Sequence, residues 1–388
     1  MSNTHSQVTP YRGLTPSRAN HCLILGFALL HLVLAAVIPL APYETHYALY
    51  GMFPDWSYLD HPPLTGWLQA LPQLLSHADF ALRLVPVALV SASQYLLVSL
   101  CPRLFPGSSP WLAPITLLLI NGAIISHLSM AMAPEIPLLF ASLLCLHFTL
   151  AVEQRGSLGN WAGLGLALGL AGLSKYTGVT LAVSAGLVLL MNQGPQLLRR
   201  PGLWLAVLVA AVVISPVLYW NWLHQWASFK FQLGYQLEDS ADAGWSAVNA
   251  LQALAEQFGA YSPLLFIGGI AASVWGWRGK QPNARALVLF AWPILVLFVW
   301  MSGAGRSSIH WTLISWYMLA PLCARWLLDR WPLKPVRGLA KLSGAMSVTL
   351  LLGMALAPIP AIKFPDERHP LGVMLGWKEA AEHAENLR

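Results

Sequence analysis

The chain of 388 residues is 56% hydrophobic and only 10% charged, whereas about 25% of the residues in an average soluble domain are charged. So little charge cannot cover the surface of a water-soluble protein of this length, which excludes a soluble globular fold. The net charge of +6 comes from basic residues scattered among loops, so it indicates membrane topology rather than a nucleic-acid-binding surface.

Apolar runs long enough to cross the bilayer follow one another along almost the whole chain. They predict an all-α polytopic membrane protein with about eleven transmembrane helices, which begin near Asn20, Phe80, Trp111, Glu135, Trp161, Thr177, Gly202, Tyr261, Ala286, Trp311 and Leu342. The cysteines fall in or beside these runs without a CxxC spacing, which is typical of packing residues and indicates neither a disulfide nor a metal site: Cys22, Cys101, Cys145 and Cys323.

The basic residues set the orientation of these helices. If the N terminus is cytoplasmic, Lys and Arg concentrate in the loops predicted to be cytoplasmic, such as those with Arg103, Arg155 and Arg199, and the opposite loops are poor in them. We therefore expect residues 1–19 to form a cytoplasmic tail, residues 20–357 a transmembrane domain, and residues 358–388 an extracytoplasmic tail.

The first outside segment, residues 41–79, is predicted to contain an interfacial helix. After the double proline Pro62-Pro63, apolar residues recur on one helical face, at Trp67, Leu68, Leu71, Leu74 and Leu75. This spacing is typical of an amphipathic helix that lies along the membrane surface.

Ionisable residues cluster in the same segment. Glu44 and His46 lie in one short stretch, and Asp60 and His61 stand directly before the double proline, which stiffens the chain and fixes their direction. Ionisable groups at a membrane protein's surface or interior are candidates for function because burying them is costly. The ordinary alternative is that the acids only cap helices at the interface.

Three further outside positions carry isolated charges. Glu135 opens a span, where it either caps the helix or serves a site. Lys175 is the sole charge between two apolar runs, so it either extends to the interface or binds a phosphate. Arg306 lies in a short flexible loop, where it either caps the preceding helix or pairs with a phosphate.

The outside segment around residues 220–232 is dense in aromatic side chains. This density can be a simple interfacial belt. His224, Lys230 and several amides are threaded among the aromatics, including Trp226, and they favour a surface for a sugar or a lipid headgroup.

These pieces together resemble a known family. After the stretch with Tyr43 and Glu44, the sequences YLDHPPL, APEIPLLF, LSKYTG, NWLHQWASFKFQL, YSPLLF and HW follow in this order. From about Leu40 onwards the chain resembles the bacterial protein O-mannosyltransferase-like glycosyltransferases, a group that includes the lipid A aminoarabinose transferase. The resemblance implies the C-superfamily membrane glycosyltransferase fold, and residues 377–382 resemble the segment that leads into a soluble domain.

The resemblance also implies the reaction. Such enzymes move a sugar from a polyprenyl-phosphate carrier to a lipid or glycan of the cell envelope, at the periplasmic side of the bacterial inner membrane. The family commonly has an Asp-Glu pair in the first outside loop, where this chain has Tyr43 and Glu44, so Glu44 is the expected catalytic base. Asp60 takes the place of an acid linked to metal or donor binding, and Glu135 that of a second-loop acid.

The expected site has three parts. The catalytic acids are Glu44, Asp60 and Glu135, and Asp60 could hold a divalent metal ion, although no cofactor is certain. The donor phosphate is expected to bind Lys175, Arg306 and His61. The residues expected to bind the sugar or the acceptor are Tyr47, Tyr58, His224, Trp226 and His310.

Two other functions stay open from the sequence. A transporter or flippase of a lipid-linked sugar would carry acids in the middle of its spans and paired broken helices, whereas the acids here lie in outside loops. An inactive relative that only binds the carrier lipid would be consistent with Tyr43 in place of the family acid. The expected partners are the lipid-linked donor, the acceptor and membrane lipids, without nucleic acid.

Overall fold

The computed structural model describes residues 15–76, 78–121, 130–237, 244–279 and 282–356. The predicted cytoplasmic tail is described only from residue 15, and the predicted tail over residues 358–388 lies outside the described residues. The first half of this part contains α1 (Pro16–Val37), α2 (Pro42–Met52), α3 (Leu64–Gln73), α4 (Asp79–Leu82), α5 (Leu84–Leu104), α6 (Leu112–Ile120), α7 (Glu135–Gln154) and α8 (Leu158–Ser174).

The second half contains α9 (Val179–Gln193), α10 (Pro201–Leu223), α11 (Ala227–Leu237), α12 (Ala247–Ala260), α13 (Pro263–Arg278), α14 (Pro282–Gly303), α15 (Leu313–Arg330) and α16 (Leu333–Leu356). Short 3-10 turns lie at Tyr176–Gly178, Gly194–Arg199 and Ile309–Thr312. The described residues therefore form a helical bundle, which confirms the predicted all-α polytopic class.

The number of spans agrees only in part with the sequence. Among the described residues, 6 helical segments are long and apolar enough to cross a membrane, and the pair α12 and α13, bent by 112°, would make a seventh. Helices also form at the other predicted runs, as α6, α8, α15 and α16, but they are shorter or less apolar. The count of about eleven stays a prediction.

Small residues let neighbouring helices approach closely in the middle of the bundle. A Cβ atom added at Gly165 of α8 would meet the backbone of Ala206 on α10, and one at Gly169 would meet Val213. Such contacts are typical of helix packing in membranes, where backbones come together because lipid offers no hydrophobic driving force. This packing fixes the end of α8, where Lys175 stands.

The helix α3 has its apolar face turned outwards. Leu71, Leu74 and Leu75 at its end are strongly exposed, whereas Thr65 and Gln69 are buried. The Gln69 side chain donates a hydrogen bond to the carbonyl of Leu82 at 3.0 Å. An exposed apolar face is stable only against lipid, so the arrangement agrees with the predicted interfacial helix.

Candidate active site

A cavity of about 340 Å³ lies where the predicted outside segments meet. Its walls come from α2, the loop before α3, the start of α7, the turn after α8, and from α11, α14 and the turn before α15. The residues that line it are Tyr47, Asp60, His61, Glu135, Lys175, Thr177, Phe231, Gln232, Ile294, Leu297, Phe298, Met301, His310 and Trp311. One part of this lining is ionisable and the other, supplied mainly by α14, is apolar.

One wall of the cavity is built around an ion pair between Glu135 and Lys175. Pro134 caps the start of α7, so Glu135 is the first residue of that helix. Lys175 follows the end of α8 in an extended backbone conformation, and its side chain reaches Glu135. The His310 Nε2 atom lies 3.7 Å from Glu135 Oε1, and the Lys175 ammonium lies 4.9 Å from the ring centre of Trp311. The structure therefore brings Glu135 and Lys175 together in the lining of one cavity.

The Glu135 carboxylate has unused hydrogen-bonding capacity. Its side chain is only 3% exposed, and its Oε2 atom has no hydrogen-bond partner among the described residues. A buried acceptor without a partner costs free energy, so this oxygen has the capacity for one more hydrogen bond.

A second group of polar side chains in the lining is centred on Asp60. The Tyr50 hydroxyl donates a hydrogen bond to Asp60 Oδ1, and His46 Nε2 lies 3.1 Å from Asp60 Oδ2. His61 Nε2 lies 4.0 Å from the same oxygen. Burial raises the pKa of Asp60, but the neighbouring His61 and the hydrogen bonds from Tyr50 and His46 together hold that pKa below its usual range. Asp60 is therefore an anion at neutral pH.

The histidines of the cavity are uncharged at neutral pH. Burial, with the positive charge of Lys175 nearby, lowers the pKa of His61 to about 4. Burial likewise lowers the pKa of His310, although Glu135 opposes this effect. These rings can donate or accept hydrogen bonds, but the positive charge of this lining comes from Lys175.

The helix α11 holds the loop that carries Asp60. Ser228 Oγ donates to the carbonyl of Tyr58 at 2.6 Å, and Gln232 Nε2 donates to the carbonyl of Asp60 at 2.7 Å. The reversal between α10 and α11 places Trp226 at a φ of 63°, a conformation that side-chain-bearing residues rarely adopt. The chain tolerates this strain where it brings α11 back over the loop.

Three of the residues expected to bind sugar or acceptor lie outside the cavity lining. The ring of Tyr58 stacks on Tyr50 at 3.7 Å, and its hydroxyl donates to the Tyr50 carbonyl at 2.8 Å. His224 stacks on Trp220 at 3.9 Å, and Trp226 forms the reversal described above. These side chains shape the loops, whereas Tyr47 and His310 do line the cavity.

Glu44, the expected base, is also outside the lining. Its carboxylate forms a buried two-point ion pair with Arg83, with distances of 2.8 Å from Nε to Oε1 and 2.7 Å from Nη2 to Oε2. The backbone N–H of Ala41 donates to Oε2 at 2.8 Å. Because both oxygens are engaged and the side chain is only 3% exposed, the structure does not bring Glu44 to the substrate space. Its catalytic role stays a prediction.

Arg306 and the metal ion are the remaining expectations. Arg306 is partly buried in the turn after α14, and it is not among the residues that line the cavity. In the part of the chain that the structure describes, no group of three or more His, Cys, Asp or Glu residues is placed to hold a metal ion. The Asp60 carboxylate already accepts hydrogen bonds from Tyr50 and His46, so these residues do not fit a resident divalent ion.

From the sequence, Arg83 was not singled out, and His46 was named in the ionisable cluster without a role of its own. Arg83 is an isolated arginine at the outside start of an apolar run, and that position was the available signal for a buried partner of an acid. His46 lies one helical turn before Tyr50 on α2, which puts both side chains on one face. Nothing in the spacing alone indicates that Asp60 meets that face.

The sequence is similar to known proteins. Residues 60–220 match the family of dolichyl-phosphate-mannose-protein mannosyltransferases, a segment that contains Asp60, His61, Glu135 and Lys175. The lipid A galacturonosyltransferase RgtD of Rhizobium johnstonii is 26% identical over 322 residues, which are 81% of this chain and 67% of that protein.

The fold has a counterpart among solved structures. The crystal structure of ArnT from Cupriavidus metallidurans in the apo state has a TM-score of 0.64 at 19% identity, and it covers 89% of this chain and 65% of that one. The same protein bound to undecaprenyl phosphate also gives 0.64. This chain therefore spans about two thirds of the length of ArnT. Together the matches confirm the predicted resemblance to this group of membrane glycosyltransferases, and the chain shares its helical fold with ArnT.

Proposed function

We propose that the chain transfers a sugar from a polyprenyl-phosphate carrier to a hydroxyl group of an envelope lipid or glycan. The reaction takes place at the periplasmic face of the bacterial inner membrane. The observation that carries this proposal is one cavity whose lining contains both Lys175 and Asp60. A cation in the lining suits a departing phosphate, and an anion suits an acceptor that must lose a proton.

The part of the lining around Lys175 is assigned to the sugar donor. Lys175 pairs with Glu135 and is 12% exposed, so its charge reaches the cavity and can bind the carrier phosphate. His310 and His61 add neutral hydrogen-bond donors next to that charge. The free Glu135 oxygen accepts a hydrogen bond from a sugar hydroxyl. Positive charge placed where negative charge develops lowers the barrier to departure of the phosphate.

The apolar part of the lining supports a lipid carrier. Ile294, Leu297, Phe298 and Met301 of α14 border the cavity beside the charged wall. A polyprenyl phosphate needs a charged surface for its anionic head and an apolar surface for its hydrocarbon tail. The relative of this fold that binds undecaprenyl phosphate supports the same donor class.

The part of the lining around Asp60 is assigned to the acceptor. Asp60 is 28% exposed, ionised, and held by two donors in a fixed direction. We therefore place the acceptor hydroxyl at Asp60 and its neighbours and give Glu44 a structural role. The relative that acts on lipid A supports a lipid A acceptor and makes a uronic acid one candidate sugar.

A transporter is the weaker alternative. It would carry its acids in the middle of spans, where a bound ion or sugar could alternate between the two sides. Glu135 instead stands at the first residue of α7, and Asp60 and Lys175 lie in loops at the ends of helices.

The donor side is tested by binding of undecaprenyl phosphate to the purified protein. Lys175→Met removes one charge-assisted contact, worth about 1.5–3 kcal/mol, so the affinity should fall about 10- to 100-fold. The double variant Lys175→Met, Glu135→Gln also removes the carboxylate that would otherwise be left buried and unpaired, and it should show the same loss. Lys334→Met, at the exposed start of α16, is the control. Wild-type affinity in both Lys175 variants would contradict the assignment.

A further inference from the structure

His46 is not among the residues that line the cavity, but it contacts Asp60, which is. Its Nε2 atom lies 3.1 Å from Asp60 Oδ2 and 3.0 Å from the Tyr50 hydroxyl oxygen. The rings of Tyr50 and Tyr47 lie at 4.8 Å and 5.3 Å from the His46 ring. The imidazole is therefore held on several sides, although its side chain is 48% exposed.

The hydrogen bonds determine which nitrogen of His46 carries the proton. Burial and the hydrogen bond to Asp60 raise the pKa of the Tyr50 phenol, so Tyr50 keeps its proton and donates it to Asp60 Oδ1. The Tyr50 oxygen and Asp60 Oδ2 are then both acceptors toward His46 Nε2. Nε2 must therefore carry the hydrogen, and in the neutral ring the lone pair is on Nδ1.

The Nδ1 atom is available to a substrate. Among the described residues, none forms a hydrogen bond with it. Asp60, which lines the cavity, is in direct contact with the other edge of the ring. A hydroxyl group that approaches the exposed side of the His46 ring can therefore reach a nitrogen whose lone pair is free.

Asp60 is poorly suited to take the proton itself. Both of its oxygens already accept hydrogen bonds, and these contacts keep its pKa below the usual range, which makes it a weak base. The same contacts make it an effective partner for a protonated imidazole. A carboxylate that orients a histidine and stabilises its charged form is a recurrent way to build a general base.

We infer that His46 is the general base of the transfer reaction and that Asp60 is the residue that positions it. This inference rests on the proposed function. The acceptor O–H bond breaks and its proton goes to His46 Nδ1, while the acceptor oxygen forms a bond to the anomeric carbon. The bond between that carbon and the carrier phosphate breaks, and the phosphate leaves with the electron pair. The proton then passes from Nδ1 to solvent.

The first test compares turnover of His46→Gln with that of the wild type. The assay uses proteoliposomes with undecaprenyl-phosphate-linked sugars as donor and lipid A as acceptor. A positioned base contributes about 10²- to 10⁴-fold in rate, so kcat should fall by that factor while the KM for the donor changes little. His21→Gln is the matched control, because His21 bonds a tyrosine, Tyr95, at 3.3 Å on other helices. It should keep wild-type turnover.

The second test separates chemistry from positioning. In His46→Ala, added imidazole should restore at least a tenth of the wild-type kcat. The groups that face the His46 ring are Asp60, Tyr50, Tyr47 and His61.

The outcomes are distinct. If His46→Gln keeps turnover within about threefold, or if added imidazole does not restore turnover in His46→Ala, His46 is not the base. If instead the wild-type protein transfers no sugar from any undecaprenyl-phosphate donor, the proposed function itself fails.

Discussion

The buried pair of Glu44 and Arg83 allows a sharp test of what Glu44 does. Arg83 is fully buried, and besides Glu44 it donates to the carbonyls of Ala35, Ile38 and Pro39 at the end of α1. It therefore ties α1 to the start of α2, the helix that carries His46 and Tyr47. We expect Glu44→Gln to damage the fold first and the chemistry only as a consequence.

The size of the effect follows from the burial of the pair. Removing one partner of a buried ion pair costs about 3–5 kcal/mol, because the other charge stays buried without compensation. Arg83 keeps its carbonyl partners, so the lower end, about 3 kcal/mol, is expected for Glu44→Gln. At about 2–4 °C per kcal/mol, the Tm should fall by about 6–12 °C.

Thermal unfolding in detergent, followed by tryptophan fluorescence, measures this loss. The double variant Glu44→Gln, Arg83→Met should be less destabilised than the sum of the single variants, because it leaves no charge unpaired. Glu153→Gln is the control, since the partners of the Glu153 carboxylate among the described residues are neutral amides, those of Asn192 and Gln193. An unchanged Tm in Glu44→Gln, with turnover reduced 10²-fold or more, would refute the structural role and restore Glu44 as the base.

Two further predictions concern packing and pH. Gly165→Ala should lower the Tm by an amount equivalent to about 1–3 kcal/mol, because the new methyl group meets the backbone of Ala206. Gly26→Ala is the control and should not lower the Tm, because the space around Gly26 is open. Equal Tm values for the two variants would contradict the contact between α8 and α10. The pKa of about 4 for His61 means that the unfolded chain binds its proton more readily, so stability should fall as the pH drops from about 6.5 towards 4. His61→Gln should flatten this loss in a series of Tm measurements, and an unchanged slope would contradict the buried neutral ring.

Features that depend on local pattern could be predicted from the sequence. Apolar runs set the helices because burying a polar backbone in lipid requires helix formation. Asp60, Glu135 and Lys175 were found because an isolated charge beside an apolar run is costly unless it has a function. The structure brings these residues to one cavity.

Features that depend on distant contacts could not be predicted in this way. We propose a structural role for Glu44 because Arg83, 39 positions away, occupies its carboxylate. His46 becomes a candidate base only because the loop with Asp60 folds back onto α2. The aromatic Trp226 turned out to shape a chain reversal, since sequence density of aromatics does not separate a binding surface from a structural turn.

The most direct test of the account is transfer by the wild-type protein in proteoliposomes, followed by mass spectrometry. The donors are undecaprenyl phosphates linked to galacturonic acid, mannose or aminoarabinose, and the acceptor is lipid A. The account predicts that, with at least one donor, lipid A gains the mass of one sugar while an equal amount of free undecaprenyl phosphate appears. If the donors stay intact, or cross the bilayer without any gain of mass on lipid A, the central claim of sugar transfer from a polyprenyl phosphate to a lipid acceptor is contradicted.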